Sequence, residues 1–196
     1  MKVSISWLSD YVTIDMPVDE LAAALTMAGL EVEAVIPRYD FLEKVKVARI
    51  TAVTPHPNAD RLRLCEADTG DRTHRIVCGA PNAREGLLAP LALPGAELPG
   101  GLTIKPGKIR GERSEGMLCS AIELGLDTDA SGLLELDAGL TVGQRLDAAL
   151  GLADWTLEIG LTPNRPDCLS LIGVAREIAA IQGSELRLPT PDMPPQ

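Results

Sequence analysis

The sequence predicts an α+β protein in which a small β-barrel is inserted into a mixed α/β domain. Residues 39–151 contain short apolar runs separated by turn residues about every 8–12 positions, which is the spacing typical of a small barrel or sandwich. Residues 1–38 and 152–188 instead combine strand patterns with amphipathic helix patterns. Because these two flanks share this character and are both acidic, we expect them to meet as one α/β domain formed by the N- and C-terminal flanks.

The first flank predicts a strand, a helix and a second strand. Apolar residues alternate from Lys2 to Trp7, as they do in a strand with one buried face. Pro17, followed by two acidic residues, is typical of a helix start, and Gly29 is typical of a helix end that needs a positive φ. Residues 30–35 alternate again and predict the second strand.

The middle of the chain predicts the strands of the barrel and little helix. Strands are expected near residues 45–53, 62–68, 76–78, 87–93, 104–109 and 117–119. Turns rich in Gly, Pro, Asn and Asp separate these strands. Residues 122–126 then predict one helical turn, and residues 141–150 predict a short helix that Gly151 ends.

The second flank predicts a strand over residues 155–159 and then the clearest helix of the chain. Ser170 is a suitable N-cap, apolar residues follow at helical spacing from Leu171 to Ile181, and Gly183 ends the helix. Residues 189–196 contain four prolines and predict a linker.

Charge is distributed unevenly along the chain. The formal net charge is −10, which argues against a general nucleic-acid binder. Residues 41–113 nevertheless hold 12 Lys and Arg against 8 Asp and Glu, whereas the rest of the chain holds 6 against 20. The basic middle is therefore either a surface that contacts phosphates or a solvated face of mixed charge.

The cysteines and the N-terminus indicate a protein of the cytoplasm. Cys65, Cys78, Cys119 and Cys168 are scattered, and the chain has two histidines, so neither a zinc site nor a disulfide framework is predicted. We expect four buried, reduced thiols. The N-terminus lacks the apolar segment of a signal peptide, and no run reaches the roughly 20 apolar residues of a membrane helix.

The search for catalytic motifs yields no candidate. The sequence contains no phosphate-binding P-loop, no dinucleotide-binding glycine fingerprint and no nucleophile elbow. His74 and the cysteines show no spacing that favours a nucleophile–base pair. We therefore expect a chain without catalytic residues of its own.

Two segments are candidates for binding. In the turn over residues 56–62, a fixed proline φ and Asx-turns at Asn58 and Asp60 predict a rigid loop that aims His56, Asn58 and Arg61 outwards. An ordinary hairpin turn is the alternative. Over residues 104–111 basic and apolar residues nearly alternate, so a strand pair there would present its Lys and Arg side chains to phosphates.

Four ordered motifs resemble one known family. HPNADRL (56–62), IVCGAPN (76–82), IKPGKIRG (104–111) and SEGMLCSAIELGL (114–126) are similar to the tRNA-binding OB-fold domain of several synthetases and tRNA-binding proteins. The flanking segments MKVSISWLSDYV (1–12), MAGLEVE (27–33) and LTPNRPDCLSLIGVAREIAA (161–180) resemble the N-terminal region of the bacterial-type phenylalanyl-tRNA synthetase β subunit. In that family the OB-fold domain is inserted between two halves of a small α/β domain.

The resemblance implies a non-catalytic, tRNA-binding and structural portion of a larger (αβ)2 enzyme. The whole enzyme attaches phenylalanine to tRNA with ATP and Mg²⁺, and its partners are tRNA and the α subunit rather than DNA or a membrane. No cofactor or metal is implied for this portion itself. Carried over by position, the residues expected to face RNA are Arg49, His56, Asn58, Arg61, Asn82, Lys105, Lys108, Arg110 and Ser120.

The composition predicts how such binding would behave. Aromatic residues make up 3% of the chain, so few rings are available to stack on bases. We therefore expect weak, salt-sensitive binding directed by RNA shape. The alternative is a protein-interaction or assembly module with no independent RNA binding.

Overall fold

The computed structural model describes residues 1–190, so residues 191–196 of the predicted linker lie outside the described part. Contacts within the chain divide it into two compact units. One contains Met1–Arg38 together with the chain from Ala153 onward, and the other contains Tyr39–Leu152. None of the helices among the described residues is long and apolar enough to cross a bilayer.

Twelve strands and four α-helices are defined over the described residues. In chain order they are β1 (Lys2–Ser4), α1 (Ile5–Leu8), α2 (Val18–Met27), β2 (Glu31–Arg38), β3 (Val45–Pro55), β4 (Arg63–Asp68), β5 (Thr73–Cys78), β6 (Leu88–Ala92), β7 (Glu97–Leu98), β8 (Leu102–Thr103), β9 (Gly107–Ile109), β10 (Glu112–Ser114), β11 (Met117–Leu118), α3 (Leu146–Ala149), β12 (Asp154–Gly160) and α4 (Leu171–Gln182). Two 3-10 helices lie at Asp40–Lys44 and Pro166–Cys168.

The flank unit is a three-stranded antiparallel sheet with helices. Its strand order is β1-β12-β2, so a strand from the second flank lies between two from the first. Leu21 and Leu25 of α2, Leu157 of β12, and Val174 and Ile178 of α4 form part of its fully buried core. The predicted strand over 155–159 and the predicted ends of α2 and α4 are confirmed, including a positive φ at both terminating glycines.

The predicted strand from Lys2 to Trp7 is wrong in its second half. The chain leaves the sheet at Ser4, whose Oγ accepts a hydrogen bond from the Trp7 N–H at 3.1 Å and starts the four-residue helix α1. The side-chain cap therefore overrides the alternating pattern. As a result Trp7 is 57% exposed instead of lying in the core.

The other unit contains the nearly closed five-stranded barrel that the sequence predicts. All neighbours in the order β11-β6-β3-β4-β5 are antiparallel. The segment before β11 returns to β5, because Glu115 N–H donates to the Arg75 carbonyl at 2.9 Å and Val77 N–H donates to Ser114 Oγ at 3.1 Å. This arrangement confirms the α+β class with an OB-type barrel.

The barrel interior and its outer layer form two apolar clusters. Ile50, Ile76 and Leu91 belong to the interior, whereas Leu42 and Leu146 pack on the outside of the barrel. All four cysteines of the chain are free and buried, as predicted.

Three local predictions in this unit are corrected. In the segment 104–111 only Gly107–Ile109 is a strand, because the chain turns back at Arg110 and pairs with β10. The predicted helix over 141–150 is limited to the four residues of α3. Residues 122–126 form a turn rather than a helix, closed by a bond from the Leu126 N–H to the Ala121 carbonyl at 3.0 Å.

Candidate nucleic-acid interface

A buried histidine joins the loop 56–62 to the hairpin formed by β9 and β10. His56 is 5% exposed. Its Nδ1 accepts the N–H of Asn58 at 3.1 Å, so Nε2 carries the ring proton and donates to the carbonyl oxygen of Ile109 at 3.1 Å. Both ring nitrogens are thus used within the domain, and the predicted outward orientation of His56 is wrong.

Asn58 adds a second bond between the loop and the hairpin. Its side-chain Nδ2 donates to the carbonyl oxygen of Arg110 at 3.3 Å, so the amide reaches across to the hairpin. Arg61 on the loop and Arg110 on the hairpin both remain exposed. The two bonds therefore hold together two segments that each carry a solvated arginine.

The hairpin turns at Arg110 and Gly111, whose φ angles are 53° and 98°. Positive φ at both central residues is the geometry of a type I′ turn, where Asn-Gly and Asp-Gly are preferred. A side chain with a Cβ in this region carries a local energetic cost, and such strain is concentrated at functional positions. The arginine places a guanidinium at the tip of the hairpin.

The outer face of the hairpin is cationic. Lys108 and Arg113 are directly opposite each other in the β9–β10 register, and opposed residues of an antiparallel pair project on the same face. Like charges in such positions repel each other. An ion pair of Arg113 with Glu115 at 3.4 Å offsets part of this repulsion, whereas within residues 1–190 Lys108 makes no ion pair. An anion bound across this face would relieve the repulsion between Lys108 and Arg113.

A groove of about 660 Å³ lies beside the hairpin, between the ends of β4 and β5 and the segment 102–109. Its lining is largely aliphatic, and Lys105 and Glu123 contribute the charged groups. Among the described residues, Glu123 is the one acidic side chain of this lining, whereas Asp127 and Asp129, which follow it in the chain, are exposed outside the groove. The charge of Glu123 therefore disfavours an anion on its side of the groove, whereas Lys105 and the cationic hairpin favour one.

Asn82 holds a wall of the groove through hydrogen bonds within the domain, and its contact with RNA stays a prediction. Its Oδ1 accepts the N–H of Leu133 at 2.8 Å, and its Nδ2 donates to the carbonyl of Leu133 at 3.0 Å and to Glu135 at 3.1 Å. A Cβ at Gly132 would lie 2.4 Å from Asn82 Oδ1, so this close approach requires glycine. Arg84 stabilises the same part of the wall by donating two hydrogen bonds of 2.7 Å to the Glu135 carboxylate.

Ser120 likewise has a local structural role. Its Oγ and its backbone N–H both donate to Glu123 Oε2 at 2.7 Å, and the residue is 9% exposed. The S-x-x-E spacing is that of a capping box, here closing a turn. This spacing is visible in the sequence but was not among the predictions; Ser120 also lines the groove, and its contact with RNA stays a prediction.

The remaining candidates divide between two places. Four candidates are exposed cations of the loop, groove and hairpin: Arg61 lies on the loop 56–62, Lys105 in the groove lining, and Lys108 and Arg110 on the hairpin. Arg49 is also exposed, but it lines a separate cavity of about 360 Å³ that Arg84 and Glu135 share. Arg113 joins the cationic face because of the hairpin register, which depends on a turn type that the sequence does not reveal.

One cluster among the described residues has the composition of a metal site, and its charge is already compensated. Asp167, Cys168 and Glu177 of the flank unit bring their ligand atoms within 4.8 Å of one another. The Arg165 guanidinium lies 3.1 Å from Asp167, 2.8 Å from Glu177 and 3.0 Å from the sulfur of Cys168. The arginine takes the position that a cation would occupy, so we assign this cluster to the packing of the flank unit.

Comparison with known proteins places these features in a family. Residues 45–145 match the family model described as "Putative tRNA binding domain". Over 96% of its length the chain is 57% identical to the phenylalanine–tRNA ligase β subunit of Syntrophus aciditrophicus, and over 98% it is 50% identical to that of Desulfotalea psychrophila. The β subunit from Xanthomonas campestris pv. campestris is 57% identical over 95% of the chain.

The chain spans 24% of the length of each of these relatives. Among solved structures, a MetRS-related protein from Pyrococcus horikoshii is 22% identical, with a TM-score of 0.39, covering 52% of this chain and 87% of that one. At that score the structural likeness adds nothing to the sequence relationship. The β subunits match both flanks as well, and because the family model matches residues 45–145, just over half of the chain, the chain belongs to the tRNA-binding domain family.

Proposed function

We propose that this chain is a non-catalytic, tRNA-binding and structural portion of a phenylalanine–tRNA ligase β subunit. The observation that carries the proposal is the clamp between the loop 56–62 and the β9–β10 hairpin, which brings exposed cations together in a domain of the tRNA-binding family. In OB-folds these two connections, after the first strand and before the last, flank the surface that binds oligonucleotides.

The chemistry of this surface favours contacts with phosphates. Arg61, Lys105, Lys108, Arg110 and Arg113 supply exposed positive charges that bind backbone oxygens regardless of base identity. Neither the groove nor the hairpin contains an aromatic ring, so base stacking contributes little. Residues 39–152 as a whole hold 13 Lys and Arg against 16 Asp and Glu, which keeps the affinity low and steeply dependent on salt.

The larger protein is part of the same proposal. We propose that residues 39–151 act as its OB-fold tRNA-binding domain, and that residues 1–38 and 152–188 form a small α/β domain that positions it. ATP and Mg²⁺ would be used elsewhere in the ligase, for which we propose an (αβ)2 assembly with an α subunit in the cytoplasm. We propose no DNA or membrane partner for this portion.

The test is a titration of the protein against unmodified tRNA at low and at physiological salt, with duplex DNA as the control nucleic acid. We expect tRNA binding that weakens steeply with salt and exceeds binding to the DNA. The double variant Lys105→Ala/Lys108→Ala should bind less tightly, with a salt slope reduced by about 0.7–0.9 for each phosphate that the variant no longer neutralises. A double variant of equal charge in the flank unit, Lys2→Ala/Arg176→Ala, should bind as the parent does.

A second candidate function is assembly of the larger protein without independent RNA binding. The excess of acidic over basic residues within 39–152 is the observation that favours it. The absence of tRNA binding at low salt would support this alternative. Equal loss of affinity in the two double variants would show that net charge, and not the hairpin face, controls binding.

A further inference from the structure

Two cysteines form a pair inside the barrel next to the groove. In the β4–β5 register Cys65 is opposite Ile76 and Cys78 is opposite Arg63, so the two cysteines stand diagonally across neighbouring strands. Since residues two apart on a strand project on one face, both thiols point into the barrel. The two side chains are close enough for each to shift the pKa of the other.

The two thiols have different surroundings. Cys65 is fully buried, whereas Cys78 ends β5, lines the groove and is 6% exposed. The sulfur of Cys78 also accepts the N–H of Ala80 at 3.4 Å. The neighbouring Cys65 thiol and the bond from Ala80 lower the pKa of Cys78 to about 7, whereas the same pairing and burial raise that of Cys65. The thiolate therefore forms more readily at Cys78 than at Cys65.

The other cysteines provide an internal comparison. Cys119 is fully buried in the outer apolar cluster, and burial raises its pKa to about 12. Burial raises the pKa of Cys168, in the flank unit, to about 11. Neither residue lines the groove. The proximity of a second thiol and contact with the groove thus distinguish the pair in the barrel.

We propose that Cys78 is an oxidant-sensitive thiol in the groove wall and that Cys65 is the thiol that resolves its oxidised form. Hydrogen peroxide is the oxidant. The Cys78 thiolate attacks one peroxide oxygen, the O–O bond breaks, and hydroxide leaves, which gives a sulfenic acid. The Cys65 sulfur then attacks the Cys78 sulfur, and the hydroxyl leaves as water with the Cys65 proton. The product is an intramolecular disulfide, and two electrons have passed to peroxide.

The disulfide changes the wall of the groove. When the Cys78 sulfur turns to bond with Cys65, it no longer accepts the hydrogen bond from Ala80. Gly79, Ala80 and Pro81 all line the groove and follow Cys78 directly, so this part of the wall loses its anchor. Resting on the proposed function, this change lowers the affinity for tRNA; the oxidation itself does not depend on RNA binding.

The first experiment exposes the folded protein to about one equivalent of hydrogen peroxide, alkylates the remaining thiols and locates modified peptides by mass spectrometry. We expect a Cys65–Cys78 disulfide while Cys119 and Cys168 remain alkylated as free thiols, and dithiothreitol should reverse it. In Cys65→Ser, dimedone should trap a sulfenic acid at Cys78. Oxidation of Cys119 or Cys168 at the same rate as Cys78, or survival of all four thiols, would overturn the proposal.

The second experiment measures tRNA affinity before and after oxidation, with Cys119→Ser as the control for a lost buried thiol. A several-fold weaker affinity that reductant restores supports regulation of the groove. If the disulfide forms and affinity is unchanged, the effect on binding is refuted while the thiol pair stands. If neither form binds tRNA at low salt but the disulfide forms, the proposed function fails and the thiol pair is supported by the first experiment.

Discussion

The Nε2 of His56 donates a hydrogen bond to the carbonyl oxygen of Ile109 at 3.1 Å, although the two residues are 53 positions apart. This bond joins the loop after the first barrel strand to the hairpin before the last. Because the ring is buried and its other nitrogen accepts the Asn58 N–H, the geometry of the loop and the position of the hairpin are fixed together. The cationic surface therefore depends on a histidine that is itself buried.

Replacing His56 should separate structural from electrostatic effects. In His56→Phe the Asn58 N–H and the Ile109 carbonyl lose their partner, so we expect a loss of about 1–2 kcal/mol in the free energy of unfolding, measured with urea. tRNA affinity should fall with the slope against salt unchanged, since every phosphate-binding cation is still present. A lower salt slope with unchanged stability would instead make His56 a direct RNA contact.

Lys108 should be slightly unfavourable for stability and favourable for binding. We expect Lys108→Gln to raise the free energy of unfolding at low salt by roughly 0.2–0.5 kcal/mol, because the repulsion with Arg113 is removed. tRNA affinity should decrease in the same variant. The gain should disappear at about 1 M salt, where the Debye length is roughly 3 Å. Arg176→Gln, at an exposed position on α4, is the control and should change neither quantity.

Asn82 should behave as a structural residue of the groove wall. In Asn82→Ala two hydrogen bonds to the backbone of Leu133 are lost, so we expect a destabilisation of about 1–2 kcal/mol by urea unfolding. The tRNA salt slope should not change. Arg84→Gln removes the exposed ion pair with Glu135 and should cost less than about 1 kcal/mol. Equal destabilisation by both variants would contradict the conclusion that the hydrogen bonds of Asn82 hold the groove wall.

A second buried histidine predicts a dependence of stability on pH. The Thr69 hydroxyl donates to Asp71 at 2.6 Å, so it accepts the proton of His74 Nε2 at 3.0 Å. His74 Nδ1 is buried without a hydrogen-bond partner, and protonation would place a charge there. Burial first, and then the charge of Arg72, hold the pKa of His74 below its ordinary value of 6.5.

The sign of the effect follows from which state binds the proton. Above about pH 6.5 the His74 ring is neutral in both the folded and the unfolded protein, so its protonation does not reduce the free energy of unfolding there. As the pH falls below that value the unfolded chain is protonated first, so the free energy of unfolding decreases until the pH passes the lower pKa of the folded protein. We expect His74→Gln to lose less stability than the parent between pH 7.5 and 5.5 in urea titrations. An equal loss would contradict this account.

The helices of the flank unit show how far local sequence information extends. Ser170 and Gly183 define the two ends of α4 because a side-chain cap and a positive φ act within a few residues. Ser4 also acts as a cap, yet the alternation of apolar residues concealed it and the first strand was predicted too long. Competing local signals of similar strength are resolved by the packing of the whole unit.

The amino-acid sequence alone is enough to predict the α+β class, the barrel in the middle of the chain, the buried free cysteines and the family resemblance. These properties depend on periodicity, caps, turn residues and composition, which are local. The folded structure was needed to show that His56, Asn82 and Ser120 form hydrogen bonds within the domain, and that Arg113 joins Lys108 on the cationic face. His56 and Asn82 satisfy their side-chain hydrogen bonds across the domain with partners 51 to 53 residues away, and that choice depends on register and loop contacts, which no single segment contains.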